Sequence, residues 1–204
     1  MPNERRATRS PLYLFMKNNS ISIGCVGFRP SGAISSILVK PAAGDPRRGW
    51  LTAGHLTIPV ALGRSGIRAN KREGDGATPR GSFRPRQLWW RADRHSRPRT
   101  LLPVRSIGAE DAWCEDPGDR RYNRPIRLKR DHGGDRLKRA DHLYDFVVEI
   151  DHNTRPRIKG RGSAVFLHLA HENFGPTAGC ISMTKSAMVQ LLRRLGPQTR
   201  IIIG

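Results

Sequence analysis

The sequence predicts a mainly β domain of packed mixed sheets, with one amphipathic helix and long surface loops. Short runs rich in β-branched and aliphatic residues recur along the chain and are bounded by glycine, proline or aspartate, which is typical of strands. A single segment has the apolar spacing of a helix. Hydrophobic residues make up 37% of the 204 residues, which is enough to form the core of one domain.

Five runs are the strand candidates. They are residues 34–40, 56–62, 144–150, 163–169 and 199–203. In the fourth run, alternation with a period of two places Leu167 and Leu169 on one face of the strand and His168 on the other. The sequence therefore predicts a histidine near the end of a strand, on the face opposite an apolar one.

The helix is predicted at residues 185–195, shortly before the last strand. Thr184 can cap its N-terminus, and Gly196 followed by Pro197 stops it. Its apolar stripe consists of Met188, Leu191, Leu192 and Leu195. This stripe is expected to pack inward. In the sequence, the helix closely follows the turn that contains Cys180.

Two parts of the chain lack such patterns. Residues 91–141 are rich in charged residues, proline and glycine, and we expect long surface loops there. Residues 1–30 are expected to form a basic N-terminal extension to a domain of residues 31–204. The extension shows no clear signal peptide, and the sequence has no apolar run of the ~20 residues that a membrane-spanning helix needs.

The composition is strongly basic. There are 37 Lys and Arg residues against 17 Asp and Glu residues, a formal net charge of +20. Such a charge attracts polyanions, including nucleic acid, anionic envelope polymers and carboxylate-bearing peptides. No helix-turn-helix, zinc-finger or RNP pattern accompanies it, so sequence-specific nucleic-acid binding is not indicated.

The chemically informative region surrounds Cys180. A thiol in the turn that begins at Thr177 can have a lowered pKa when an imidazole is within reach, and the thiolate is the form that attacks carbonyl groups. His168 lies twelve residues before the cysteine. Backbone N–H groups around Ala178 and Gly179 can stabilise a developing oxyanion. These residues predict a nucleophile, its base and an oxyanion loop.

Two other interpretations of the same residues remain open. Cys180 and His168 can be ordinary buried core residues, which is the commoner role of a lone cysteine or histidine. Together with His171 they can also form a metal site, but a clear fourth ligand and a Cys-x-x-Cys pair are lacking. We therefore expect no bound metal.

Two segments resemble the L,D-transpeptidases with a YkuD-type catalytic domain. Residues 177–180 (TAGC) resemble the Ser/Thr-x-Gly-Cys turn of that family. Residues 71–83 (KREGDGATPRGSF) resemble its K-x-E-G-D-G-x-T-P-x-G-x-F segment, which is the more specific of the two. Shorter stretches that resemble a subgroup of the family are Trp113–Pro117, Tyr122–Pro125 and Asp141–Asp145. Together they extend the resemblance over roughly residues 34–204 and imply a YkuD-like fold.

The resemblance implies roles for individual residues. Cys180 would be the nucleophile and His168 the base, and the oxyanion loop would consist of Thr177, Ala178 and Gly179. Candidate positions on the substrate side are His171, Ser182, His142 and Tyr144. Members of the family commonly have histidine at the position of Ala178, arginine or asparagine at the position of Ser182, and a longer spacing from histidine to cysteine.

The implied activity is that of a cysteine-dependent L,D-transpeptidase acting on peptidoglycan stem peptides. Cys180 would attack the diaminopimelate carbonyl at its bond to the terminal D-alanine, and an amine of another stem would resolve the thioester into a 3–3 cross-link. Covalent catalysis of this kind requires no metal or organic cofactor. The family also implies a location in the periplasm or cell envelope.

Alternative functions remain. The same site can act as an L,D-carboxypeptidase, or it can ligate envelope proteins to peptidoglycan. A different class is a catalytically silent basic module that binds wall polymer or nucleic acid, for which the net charge alone would be sufficient.

Overall fold

The computed structural model describes residues 32–128 and 134–204, so the expected extension of residues 1–30 lies outside the described residues. The described part contains fifteen strands and one helix. They are β1 (Ser36–Ala42), β2 (Asp45–Ala53), β3 (Leu56–Ala61), β4 (Ile67–Arg68), β5 (Thr78–Pro79), β6 (Gly81–Phe83), β7 (Pro85–Trp90), β8 (Val104–Ser106), β9 (Asp111–Cys114), β10 (Arg124–Arg127), β11 (Asp135–Arg136), β12 (Phe146–Ile150), β13 (Phe166–Leu169), β14 (Ile181–Met183), α1 (Lys185–Leu192) and β15 (Arg200–Ile203). Within this part of the chain, no helix is long and apolar enough to cross a bilayer. The predicted mainly β fold is confirmed.

Ten strands form one mixed sheet, in the order β6-β15-β1-β2-β3-β14-β13-β12-β7-β8. The neighbours β13 and β14 run parallel, with His168 paired with Ser182. Cys180 immediately precedes β14 and therefore lies beside the start of β13. The remaining strands form a three-stranded sheet, β10-β9-β11, and the pair β4-β5.

The large sheet separates two apolar clusters. One cluster contains Leu167 and Leu169 together with the buried side chains of α1. The other contains Phe166, Trp113 and Cys180. Successive residues of β13 thus belong to different clusters, which confirms the predicted alternation. The predicted nucleophile lies on the face of the sheet opposite the helix.

The helix begins where it was predicted and ends earlier. Thr184 caps it, since its Oγ1 accepts a hydrogen bond from the N–H of Ala187 at 3.3 Å. The last helical residue is Leu192, whereas the apolar spacing predicts a helix to Leu195. Leu195 is still buried in the same cluster as the helix, and its N–H donates to the carbonyls of Leu191 and Leu192 in a tightened last turn.

The prediction of long surface loops at residues 91–141 is wrong in part. Strands β8 to β11 lie in this region, and all four residues of β9 are buried. The acidic end of β9 is neutralised by an ion pair between Arg105 and Asp111 at 2.9 Å. Strands of two to four residues are too short to produce a recognisable hydrophobic period.

Two longer strands were also missed by sequence reasoning. Strand β2 carries aspartate, proline and arginine at its start, and only Gly49, Leu51 and Ala53 in its second half are buried. Strand β7 begins at Pro85 and includes polar residues. Their compositions are typical of loops. These segments form strands because they pair with neighbouring strands, which composition does not reveal.

Candidate active site

His168 and Cys180 lie on the same face of the large sheet. The ring of Tyr144 packs edge-on against both Phe166 and His168, with centroid distances of 6.2 and 5.4 Å. Phe166 shares its cluster with Cys180. The register places His168 one diagonal step from Cys180, a Cα separation of roughly 8 Å from ordinary sheet spacings. The strand pairing therefore brings the predicted nucleophile and base together.

The Cys180 thiol is bound by the backbone next to and within β13. It donates a hydrogen bond to the carbonyl of Ala164 at 3.2 Å and accepts one from the N–H of Phe166 at 3.4 Å. Only 8% of the residue is exposed. Burial raises the pKa of the thiol to about 12. The expectation of a lowered pKa is therefore wrong for this conformation, because desolvation penalises the thiolate.

The His168 imidazole is buried and neutral. Its Nδ1 is hydrogen-bonded to the carbonyl of Leu169 at 2.8 Å, and only 6% of the residue is exposed. Burial lowers the pKa of the imidazole to about 4. A neutral imidazole is the protonation state that a general base needs. In this conformation the thiol and the imidazole are each hydrogen-bonded to backbone and not to each other.

The turn before the cysteine is held by Thr177. Its Oγ1 donates to the carbonyl of Cys180 at 2.7 Å and accepts from the N–H of Gly179 at 3.1 Å. Gly179 has φ +144°, and a Cβ atom there would lie 2.8 Å from the carbonyl oxygen of Ala77. Glycine is therefore required both by the backbone conformation and by the close approach of residues 71–83.

The segment of residues 71–83 supports this turn through hydrogen bonds. The carboxylate of Asp75 accepts from the N–H groups of Arg72 and Ala77 and from the Lys71 ammonium at 2.6 Å. Thr78 donates to the carbonyl of Cys180 at 3.4 Å. Asp75 thus folds its own loop, which explains why an acidic residue lies in this motif.

Glu73 connects the same segment to the residues before β13. Its Oε2 accepts hydrogen bonds from the hydroxyl of Tyr122 and from that of Ser163, the latter at 2.8 Å. Its N–H donates to the carbonyl of Gly160 at 2.9 Å. These contacts fix the chain that leads into Ala164, the partner of the thiol.

Cys180 opens onto a cleft of about 410 Å³. The charged residues that line it are Arg64, Lys71, Glu73, Glu115, Asp135 and Arg139. The Lys71 ammonium is bound to Asp75 at 2.6 Å. The Arg139 guanidinium is bound to Asp141 at 2.7 Å and lies over the ring of Tyr144 at 5.1 Å. The cleft therefore presents guanidinium groups and carboxylates close to the thiol.

The carboxylates in the cleft differ in their partners. Asp135 accepts a hydrogen bond from the Tyr144 hydroxyl at 2.7 Å. Glu115 is exposed as a residue, but its carboxyl group is partly enclosed by the cleft. This desolvation, together with repulsion from Asp135 and Glu73, raises the pKa of Glu115 to about 7. Glu115 can therefore exchange a proton near neutral pH.

Residues 43–203 match the family model of the L,D-transpeptidase catalytic domain, YkuD. The chain belongs to the YkuD family. Comparison with curated proteins and with solved structures gave no match. The match includes both segments on which the resemblance rests, residues 71–83 and 177–180, and it confirms the resemblance. Membership implies a peptidoglycan substrate, and members of the family are typically found in the cell envelope.

The candidate substrate-side residues of the YkuD domain occupy different environments. Tyr144 lines the cleft. His142 is half-buried and bonded through Nε2 to the carbonyl of Ala170 at 2.9 Å, and His171 is exposed on the loop after β13. Ser182 is 1% exposed within the sheet. In this conformation Tyr144 is thus the one of the four that borders the space beside Cys180.

Sequence reasoning on the YkuD domain missed several residues near the thiol. Glu115 and Asn123 lie in stretches that matched the family, but no role was assigned to them. Asp135 and Arg139 lie in the presumed loops, where no pattern indicated a site. Within residues 32–128 and 134–204, no group of three or more His, Cys, Asp or Glu side chains is arranged to hold a metal ion. The alternative metal set that included His171 is therefore not assembled there.

Proposed function

We propose that this YkuD domain is a cysteine L,D-transpeptidase that joins peptidoglycan stem peptides through 3–3 cross-links. The observation that carries the proposal is the placement of Cys180 at a charged cleft, diagonal to the neutral His168 on the same sheet face. The family match supplies the peptidoglycan substrate. No metal or organic cofactor takes part in the proposed reaction.

Acylation begins with attack by the Cys180 sulfur on the diaminopimelate carbonyl that is bonded to the terminal D-alanine. His168 accepts the thiol proton, and the proton then passes to the departing amine of D-alanine. Because burial keeps the thiol protonated, proton transfer accompanies the attack instead of preceding it. The thiol must leave the Ala164 carbonyl and turn towards His168, which their common face allows.

The tetrahedral intermediate needs N–H donors for its oxyanion. The N–H of Gly179 is donated to Thr177, where it helps to hold the turn. The proposal therefore assigns the oxyanion to the N–H groups of Ala178, which lines the cleft, and of Cys180. Gly179 contributes by allowing the turn to approach Ala77.

The charges of the cleft fit both partners of the reaction. Ser182 is buried where many members of the family have arginine or asparagine, so we assign the substrate carboxylates to Arg139 and Arg64. Asp135 and Glu115 face the acceptor, whose amine must lose a proton to attack the thioester. A carboxylate that titrates near pH 7 can accept that proton.

The fate of the thioester separates the enzymatic alternatives. An amine of a second stem gives a 3–3 cross-link, water gives an L,D-carboxypeptidase product, and an amine of an envelope protein gives a protein conjugate. The carboxylates of Glu115 and Asp135 in the cleft favour an amine over water, because they attract ammonium groups. The proposal places the reaction in the periplasm or cell envelope, and fractionation of cells that carry a C-terminally tagged protein tests this location.

Intact-mass spectrometry after mixing with a tetrapeptide muropeptide tests the activity. The expected result is a thioester adduct that lacks D-alanine, followed by 3–3 dimers, with neither product in Cys180→Ala. Tripeptide without dimers indicates hydrolysis, and labelled envelope proteins in a lysate indicate ligation. Salt-sensitive retention on sacculi or DNA that survives Cys180→Ala, without any adduct in the wild type, would overturn the enzyme in favour of a basic binding module.

A further inference from the structure

Ala164 has an unusual backbone conformation beside the thiol. Its φ is +51°, in the left-handed region that non-glycine residues rarely adopt. Its carbonyl accepts the hydrogen bond of the Cys180 thiol at 3.2 Å. The direction of that carbonyl depends on the backbone conformation at residue 164, so whatever fixes this conformation also fixes the position of the sulfur.

The side chain that holds Ala164 belongs to Asn123. This residue is 4% exposed and lies about forty positions earlier in the chain. Its Oδ1 accepts hydrogen bonds from the N–H of Ala164 at 3.2 Å and from the Trp113 indole at 3.0 Å. Its Nδ2 donates to the carbonyls of His152 and Asn153 at 3.1 and 2.9 Å. Both donors and the acceptor oxygen of the amide are therefore satisfied.

The chemistry of this site requires an asparagine. The oxygen of a side-chain amide accepts hydrogen bonds and its NH₂ group donates two, whereas both oxygens of a carboxylate only accept. Asn123 itself has φ +54°, a conformation that asparagine tolerates better than most residues. Asn123 is not one of the described residues that line the cleft, and the proposed catalytic steps do not use it.

We propose that Asn123 is a positioning residue for Cys180. It holds Ala164 in the left-handed conformation, and the Ala164 carbonyl with the Phe166 N–H keeps the thiol at a fixed resting position in the cleft. This role rests on the proposed function of Cys180 as the nucleophile. At rest the thiol stays protonated and bound to the backbone, and its position is set before the substrate arrives.

Asn123→Gly removes the side chain while leaving the backbone free to keep a positive φ. We expect two effects on Cys180, measured in a Cys25→Ser background. Alkylation by iodoacetamide should begin at lower pH. The Ala164 carbonyl accepts a hydrogen bond only from the neutral thiol, so its displacement should lower the pKa of the thiol. Acylation by a carbapenem should slow roughly 10- to 100-fold, because the sulfur then occupies several positions instead of the one resting position from which it turns towards His168. Asn123→Asp keeps the acceptor oxygen but sets a carboxylate oxygen against the carbonyls of His152 and Asn153, so it should also slow acylation.

Two controls separate positioning from general loss of structure. Thr199 is also a buried polar residue that does not line the cleft, and its hydroxyl bonds to the carbonyl of Ile34 and the N–H of Gly196, so Thr199→Ala should leave both readouts unchanged. Cys114 is a second buried thiol and should remain unlabelled in Asn123→Gly.

The proposal is overturned by wild-type behaviour of Asn123→Gly, either in the acylation rate or in the pH dependence of alkylation. Labelling of Cys114 in step with Cys180 would also overturn it, because the side chain would then support only the local fold. If the wild type is never acylated but the alkylation profile shifts as expected, the proposed function fails and the positioning of the thiol stands. The two proposals therefore fail separately.

Discussion

The two faces of the ten-stranded sheet are built in different ways. The face under α1 is covered by aliphatic side chains from neighbouring strands and the helix, and it carries no group that the proposed reaction uses. The opposite face combines aromatic rings with a thiol, an imidazole and a hydrogen-bonded asparagine. The first face provides stability through burial, while the second uses the rigid sheet to hold polar groups in place. Variants on the two faces should therefore affect different measurements.

The largest expected effect is that of Cys180→Ala. It should abolish acylation completely, because the sulfur forms the covalent bond. The matched variant Cys114→Ala removes another buried free thiol and should leave the wild-type adduct in place. Intact-mass spectrometry measures both. A covalent adduct on Cys180→Ala would show that the nucleophile is elsewhere.

His168→Ala should slow acylation by about 10²- to 10⁴-fold, the usual contribution of a general base. His171→Ala should change it only slightly, since that residue is exposed on the loop after the strand. Single-turnover acylation rates compare the two variants. Equal or reversed effects would show that the base is misassigned.

Leu191→Ala probes the apolar face. Leu191 is fully buried in the cluster under the helix, so its truncation should cost about 2–5 kcal/mol of unfolding free energy. Denaturant unfolding measures this loss, and acylation far below the midpoint should stay at the wild-type rate. A lower rate in the folded variant would contradict the separation of the two faces.

Arg139→Gln should raise the substrate concentration for half-maximal acylation about tenfold, because a charge-assisted hydrogen bond to a carboxylate is lost. Arg121→Gln is its matched control. Arg121 pairs with Asp119 two residues away, as Arg139 pairs with Asp141, but it does not line the cleft among the described residues. Similar shifts in both variants would indicate a general effect of charge.

The smallest expected effect is that of pH. The acylation rate should be nearly constant between about pH 5 and 9, because the thiol and the imidazole both remain neutral there. It should fall as the pH drops through about 4, where His168 gains a proton. Rapid-quench rates across this range test the prediction. A decline centred on the ordinary histidine pKa would contradict a buried imidazole.

The apolar face was largely predictable from the sequence. The alternation in β13 and the spacing of Met188, Leu191 and Leu192 reflect burial on one side of a regular element, and such burial leaves a period in the sequence. The cap at Thr184 is equally local. The reason for glycine at position 179 was not predicted, because the backbone oxygen of Ala77 that requires it became evident only in the structure.

The site face was predictable only in its central residues. Cys180 and His168 stood out because their residue types and spacing suggest chemistry, and their roles remain a prediction. The surroundings of the thiol come from distant parts of the chain. Glu115 and Asp135 line the cleft at the thiol, and Asn123 bonds to Ala164. All three residues lie in or next to short strands that show no period. The raised thiol pKa follows from those surroundings and contradicts the expectation from residue types alone.

The sequence by itself determined which elements form, which residues have the chemistry and which family the chain resembles, because these depend on local composition and spacing. Only the tertiary structure decided where the thiol rests, which carbonyl holds it and which charges border it. Those properties depend on burial and on hydrogen bonds between residues as far apart as Asn123 and Ala164. Contacts of that kind leave no periodic pattern in the chain.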